Sequence, residues 1–189
     1  SGQCCSITAK VLWMSRLGRP DTSKPTNDRG KNVSKWSIND DKETYRLICY
    51  INESKDFTLE GHVGDPVWKC WLTLFADANF AGENAHAKST SGCLLVLEGP
   101  NTWFPLAWVN KTQTSTARSS TAAELISLTH GLFQEALPMM DLFDILAVDD
   151  DGKKYPFKLR VKEDNKATIL IAKEGYSQKM RDYDRVHRV

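Results

Sequence analysis

No apolar run in these 189 residues approaches the roughly 20 needed to cross a bilayer, so a transmembrane helix is not expected. The opening SGQCCSITAK lacks a basic start, an apolar core and a small-residue cleavage site, so nothing in it marks a secreted protein and none is expected. Cysteine is sparse: Cys4, Cys5, Cys49, Cys70 and Cys93 form no C-x-x-C pair and no Cys/His spacing suited to zinc. The expectation is therefore an intracellular protein with free, buried thiols. There is no internal repeat and no long low-complexity segment. Charge of one sign is also missing, the net value being +1 at neutral pH, while 41% hydrophobic and 26% charged residues suit a globular chain of one domain plus an appendage.

That near-zero balance hides an asymmetry. Residues 153 to 189 hold eleven Lys or Arg against five Asp or Glu, leaving this tail near +6 and the rest near −5. Basic residues interleaved with apolar ones suit either a phosphate-binding face or a solvated helix surface.

The texture of the chain changes near residue 66. Before it, ITAKVLWMSR (7 to 16) and DDKETYRLICYI (40 to 51) carry helical spacing, and the polar segment between them, broken by Pro20, Pro25 and Gly30, reads as a connector. After it come three strand-like runs, WKCWLTLFA (68 to 76), SGCLLVLEG (91 to 99) and TWFPLAWVN (102 to 110), the last two joined by a Gly-Pro turn at 99 and 100. Short connections predict an antiparallel meander. A helix then starts in SSTAAE with a stripe of Leu125, Leu128, Leu132 and Ala136, and is expected to stop before Pro138. A short helix MMDLFDIL, an acidic turn VDDDGKKY, a strand PFKLRV (156 to 161) and a helix KATILIAKE follow. Asp149 to Asp151 lack the alternating ligand spacing of a calcium loop and read as a solvated turn. The last residues, SQKMRDYDRVHRV, carry no helix-ending signal and read as though cut.

Three acids occupy comparable places: Asp77 ends the first strand, Glu124 lies in the first turns of the long helix, and Asp164 follows the fourth strand. Each has a structural alternative. Asp77 suits a turn, Glu124 stands at capping-box spacing from Thr121, and Asp164 suits a helix N-cap. If the first and fourth strands are neighbours, Asp77 and Asp164 stand side by side and the helix can carry Glu124 over them. Converging carboxylates repel unless cations lie between them, and oxygen-only ligation is what Mg²⁺ prefers, with Mn²⁺ the alternative. Two such ions about 4 Å apart cleave a phosphodiester, one activating the attacking water and the other stabilising the leaving oxygen.

The stretches LFADANFAGENAHAKSTSGCLLVL, PLAWVNKTQTSTARSSTAAELISL and KEDNKATILIAK, in that order, resemble the ribonuclease H region of copia-type retrotransposon Pol polyproteins over residues 69 to 189. That family reads approximately D-A-D-x-A-G, K-S-T-S-G, W-x-S-K-K-Q, S-S-T-E-A-E-Y and D-N-x-x-A. Residues 1 to 66, with RPD (19 to 21) and WSINDDKETYRLICYI, resemble the segment joining reverse transcriptase to ribonuclease H in these elements. The division expected is thus a helical connection segment over 1–66 and a ribonuclease H-like α/β domain over 67–189, a mixed sheet of three antiparallel strands plus a parallel one with packed helices. Asp40 and Asp41 lack the tyrosine of a polymerase Y-x-D-D signature and start a helix instead.

The resemblance implies that Asp77, Glu124 and Asp164 are the catalytic metal ligands, with Asp77 bridging, and that the substrate is the RNA strand of an RNA/DNA hybrid. The implied partner is the upstream reverse transcriptase, and the implied location is cytoplasm, retroelement particle or nucleus. Lys88, Ser89 and Thr90 match K-S-T, and Lys111 and Gln113 match K-K-Q. These five suit either the nucleic-acid side or plain surface turns. Ser119, Ser120 and Thr121 match the helix entrance, where exposed N–H groups receive a phosphate, and Asn165 follows Asp164 in the D-N motif. Two departures stand out: Ala122 replaces a usual Glu, and the family's fourth carboxylate, in a late A-D-x-L-T motif, is absent from the chain, with Asp182 and Asp184 poor substitutes. A fragment that folds and binds nucleic acid without cutting is the competing expectation. An integrase core is disfavoured by the lack of a D-x-x-E-like C-terminal helix.

Overall fold

The computed structural model describes residues 2–83 and 88–175. The whole SQKMRDYDRVHRV stretch, with Asp182 and Asp184, lies outside these residues. The chain forms two compact units, Ser1–Glu60 and Gly61–Val189. Among the described residues no helix is long and apolar enough to cross a membrane. All five cysteines are free, but only Cys70 and Cys93 are buried.

The first unit holds α1 (Gly2–Leu17), α2 (Ser23–Asn32) and α3 (Ile38–Glu53). Helix α2 occupies the segment that reads as a connector, and the reason is where its helix breakers fall. Pro20 opens a short 3₁₀ turn and Pro25 lies in the first turn of α2, positions where a missing N–H breaks no helical bond. With almost no apolar residue, α2 gives no periodic signal. It is held by local bonds instead, Thr26 Oγ1 donating to Thr22 O at 2.6 Å and Lys24 pairing with Asp28 one turn on. Helix α3 starts in a capping box: the Asp40 N–H donates to Ser37 Oγ, and Asp40's carboxylate accepts from the Ser37 N–H at 2.9 Å. Asp40 also accepts from Asn32 and Arg29, so it is a structural acid, as its place at a helix start requires.

The second unit is α/β. Strands β1 (Trp71–Glu83), β2 (Lys88–Gly99), β3 (Thr102–Thr112) and β4 (Leu159–Lys162) form one sheet in the order β3-β2-β1-β4. β1 to β3 are an antiparallel meander, and β4 runs parallel to β1. Residues 61 to 66 belong with this unit: His62 bridges to Trp103, and Asp65 accepts from the Asn101 N–H and from Thr102 Oγ1. Beyond Asn79, β1 shifts register against β2, with Ala81 at φ 48°. Gly82 lies so close to the Asn79 side chain that a Cβ there would collide with it. The small residues after Asp77 therefore build a bulge.

The long helix does not stop before Pro138. Helix α4 (Ser120–Gly131) passes through a π-helical stretch, Leu132–Ala136, straight into α5 (Leu137–Leu146). Pro138 falls in the first turn of α5, after the widened turn has already shifted the bonding so that the Leu137 N–H reaches Leu132 O. The stripe of α4 packs as its spacing predicts, with Leu125, Leu128 and Ala136 buried and Leu132 against the core. Beneath it lie Leu72, Leu74, Ala76, Cys93, Leu95 and Val109 of the sheet. Helix α6 (Lys166–Glu174) follows β4.

Candidate metal centre

The parallel pairing of β1 and β4 sets the first two acids. Its last paired residues are Phe75 and Lys162, and Asp77 and Asp164 each stand two residues further on. Both therefore stand just beyond the last pair of the parallel β1–β4 ladder, at its carboxyl end, where ligands collect in α/β sheets. Asp77 does not end its strand as expected, because β1 runs on to Glu83 against β2. Both are exposed.

Glu124 comes to them on α4, and three features fix its position. Ser127, one turn further along α4, donates from Oγ to the main-chain carbonyl of Asp77 at 2.7 Å. Gln113, just past the end of β3, donates from Nε2 to Ala123 O at 2.8 Å and to Ser91 Oγ at 3.0 Å. The helix is capped by Ser119, whose Oγ accepts from the Ala122 N–H. The Thr121–Glu124 capping box is therefore not formed. The capping position three residues after Ser119 is Ala122, which has no carboxylate to return the bond, and Glu124 is left for other work. It lies instead near the main-chain N–H of Ala78 in β1, which slightly offsets the upward shift of its carboxyl.

Asp164 is not a cap either. Asn165 is the N-cap of α6, its Oδ1 accepting from the Ala167 and Thr168 N–H groups at 3.0 and 3.1 Å. With both capping roles taken by neighbours, Asp77, Glu124 and Asp164 each present a carboxylate oxygen, all within 4.8 Å of one another.

The electrostatics of this arrangement are unfavourable for the protein alone. Glu124 is only 7% exposed, and burial, followed by the charges of Glu163, Asp77 and Asp164, pushes its carboxyl up to about 7. One of its oxygens, Oε2, is buried with no hydrogen-bond partner. Three oxygen donors and an orphaned buried carboxylate oxygen suit a hard divalent cation, Mg²⁺ or Mn²⁺, and offer none of the nitrogen or sulfur ligands that zinc takes.

The remaining sequence-selected residues separate into two groups. Lys111, Ser119 and Ser120 are exposed, and Lys88, Thr121 and Asn165 are half-buried. Ser89, Thr90 and Gln113 are buried, which sets their side chains inside the protein and not on a nucleic-acid surface. Ser89 Oγ accepts from the Ala81 N–H and so holds the bulge of β1, and the Ser89 carbonyl accepts from the Gln113 N–H. Ser127 and Glu163 are not among the sequence-selected residues. Ser127 gives no local sign, because its partner is 50 residues away. Glu163 was in view beside Asp164, but only the strand register shows where it points.

No protein-family model and no solved structure matches this chain.

Proposed function

We propose that residues 61–189 are a ribonuclease H-like domain that hydrolyses the RNA strand of RNA/DNA hybrids with two divalent ions, within a copia-type retroelement Pol polyprotein. The observation that carries this reading is the convergence of Asp77, Glu124 and Asp164, with Glu124 buried and one of its oxygens unpartnered. The sheet order supports it: a meander of three strands, then a fourth strand parallel to the first.

When bound, the ions supply activation of water and stabilisation of the leaving oxygen. The chain's own residues supply the rest. Asp77 and Asp164 hold the solvent-facing side of the centre, open to a phosphate, while Glu124 closes the buried side. The exposed start of α4 at Ser119 and Ser120 presents main-chain N–H groups and the positive end of a helix dipole, which favours a neighbouring phosphate. Lys111, exposed at the end of β3, and Lys88, at the start of β2, add positive charge for the backbone of the duplex. Discrimination of hybrid from DNA duplex falls to the 2′-hydroxyls in the minor groove. The upstream partner in this reading is the reverse transcriptase, joined through residues 1–60.

The test is Mg²⁺-dependent cleavage of an end-labelled RNA/DNA hybrid by the chain and by Asp77→Asn. A loss of about a hundredfold or more in the variant is expected. Equal rates overturn the enzymatic reading, and hybrid binding without cleavage in both favours a non-cutting fragment.

A further inference from the structure

We propose that Glu163 is a fourth carboxylate of this centre, ligating a divalent cation together with Asp77, Glu124 and Asp164. This rests on the metal-centre reading above and adds to it a ligand from the residue just after β4.

Geometry places Glu163 under α4. It follows the last paired residue of β4, Lys162, whose partner is Phe75, so continuing the parallel register by one residue sets Glu163 beside Ala76. Neighbours across a parallel pair point to the same face of the sheet. Ala76 is buried in the core, and its antiparallel partner Cys93 touches Ser127 of α4 through Sγ at 3.4 Å to the Ser127 carbonyl. Glu163 is thereby directed beneath the helix that carries Glu124.

The condition of its oxygens points to a ligand. Glu163 Oε1 accepts from the Asn165 N–H at 3.1 Å, which fixes the carboxylate, and Oε2 is buried with no partner. Glu124 Oε2 is in the same state, on a side chain that is 93% withdrawn from solvent. Each of these buried carboxylate oxygens, lacking a donor, is costly in a low-dielectric place. A proton on either glutamate would satisfy that oxygen alone. A cation held where the Asp77, Glu124 and Asp164 oxygens converge would satisfy Glu124 and, with a small turn of its side chain, Glu163 as well.

Binding of Mn²⁺, followed by loss of the free-ion electron paramagnetic resonance signal, tests this without reference to activity. The full chain is compared with Glu163→Gln, Glu163→Asp and Asp77→Asn. Glutamine keeps the acceptor for the Asn165 N–H and donates from its amide towards Glu124, so the metal-free variant is expected to melt at or above the wild-type temperature. Its Mn²⁺ dissociation constant is expected to rise about tenfold or more. Aspartate, which keeps the charge on a shorter arm, is expected to bind between the two. Wild-type affinity in both Glu163 variants, with binding lost in Asp77→Asn, removes Glu163 from the ligand set and leaves the other three standing. Wild-type affinity in Asp77→Asn overturns the metal centre itself, and this inference with it.

Discussion

Ser127 Oγ lies 2.7 Å from the carbonyl oxygen of Asp77, and through that one bond the helix bearing Glu124 is fastened to the strand bearing Asp77. The same hydroxyl reaches Gly92 O at 3.3 Å, so it spans β1 and β2. Replacing it with alanine removes the donor and leaves a buried carbonyl short of a partner. Ser127→Ala is expected to cost about 1 to 3 kcal/mol of stability, read from chemical denaturation. It is also expected to weaken divalent-ion binding, because Glu124 lies one turn along the same helix. Loss of stability with unaltered ion affinity would show that Ser127 fastens the helix without setting the position of Glu124.

Gln113 joins the end of β3 to the first turn of α4, and it is 4% exposed. Its Nε2 serves both Ala123 O and Ser91 Oγ, so the buried amide is the link between three elements. Gln113→Leu keeps approximate volume and removes the donors, with an expected cost of about 1 to 3 kcal/mol. Because its side chain does not reach the surface, affinity for nucleic acid measured at fixed metal should change less than for Lys111→Ala. Lys111 is exposed, and its removal should weaken binding and reduce the salt dependence by about one counterion. A larger loss of affinity in Gln113→Leu than in Lys111→Ala, with stability intact, would contradict this division.

The sequence carried the site further than it carried the frame. Asp77, Glu124 and Asp164 were legible from their order along the chain, which a parallel β1–β4 pair requires and the register of Phe75 with Lys162 meets, although Asp77 lies within β1 and not at its end. Helix α2 was not legible, since a helix with almost no apolar stripe leaves no periodicity to read and its prolines look like breaks until their place in the first turns is known. The run from α4 into α5 was missed for a related reason: a π turn at Leu132–Ala136 lets Pro138 start a helix without ending the one before it. The capping of α4 depends on a difference of two residues, Ser119 against Thr121, which is finer than sequence spacing resolves.

Close packing of α4 on the sheet makes a sharp prediction at Gly131. A Cβ built there would lie 2.8 Å from Cys93 Sγ and 3.2 Å from a Leu74 methyl. Both neighbours are buried in the core and cannot turn away. Gly131→Ala is expected to destabilise the second unit by about 1 to 3 kcal/mol despite the higher helix propensity of alanine, which alone would favour it by about 1 kcal/mol. Thermal denaturation checks the sign. An increase in melting temperature would mean that α4 stands further from the sheet than these distances state.

The raised carboxyl of Glu124 gives the metal-free protein a pH dependence of definite sign. Its folded value, about 7, stands above the ordinary value of 4.5, so the folded state binds the proton more tightly than the unfolded state does. The favourable contribution is present while the group is protonated in both states, below about 4.5, and it is lost as pH rises through the window from 4.5 to about 7. Above that window the folded protein holds Glu124 ionised in a buried place beside Glu163, Asp77 and Asp164. Metal-free protein in chelator should therefore melt at a lower temperature at pH 8 than at pH 5.5, and Glu124→Gln should flatten the difference. Adding Mg²⁺ should raise the melting temperature more at pH 8 than at pH 5.5, since the ion competes with the proton for the same oxygens. An equal effect of Mg²⁺ at both values would separate cation binding from Glu124, and a wild-type profile in Glu124→Gln would assign the pH dependence to other groups.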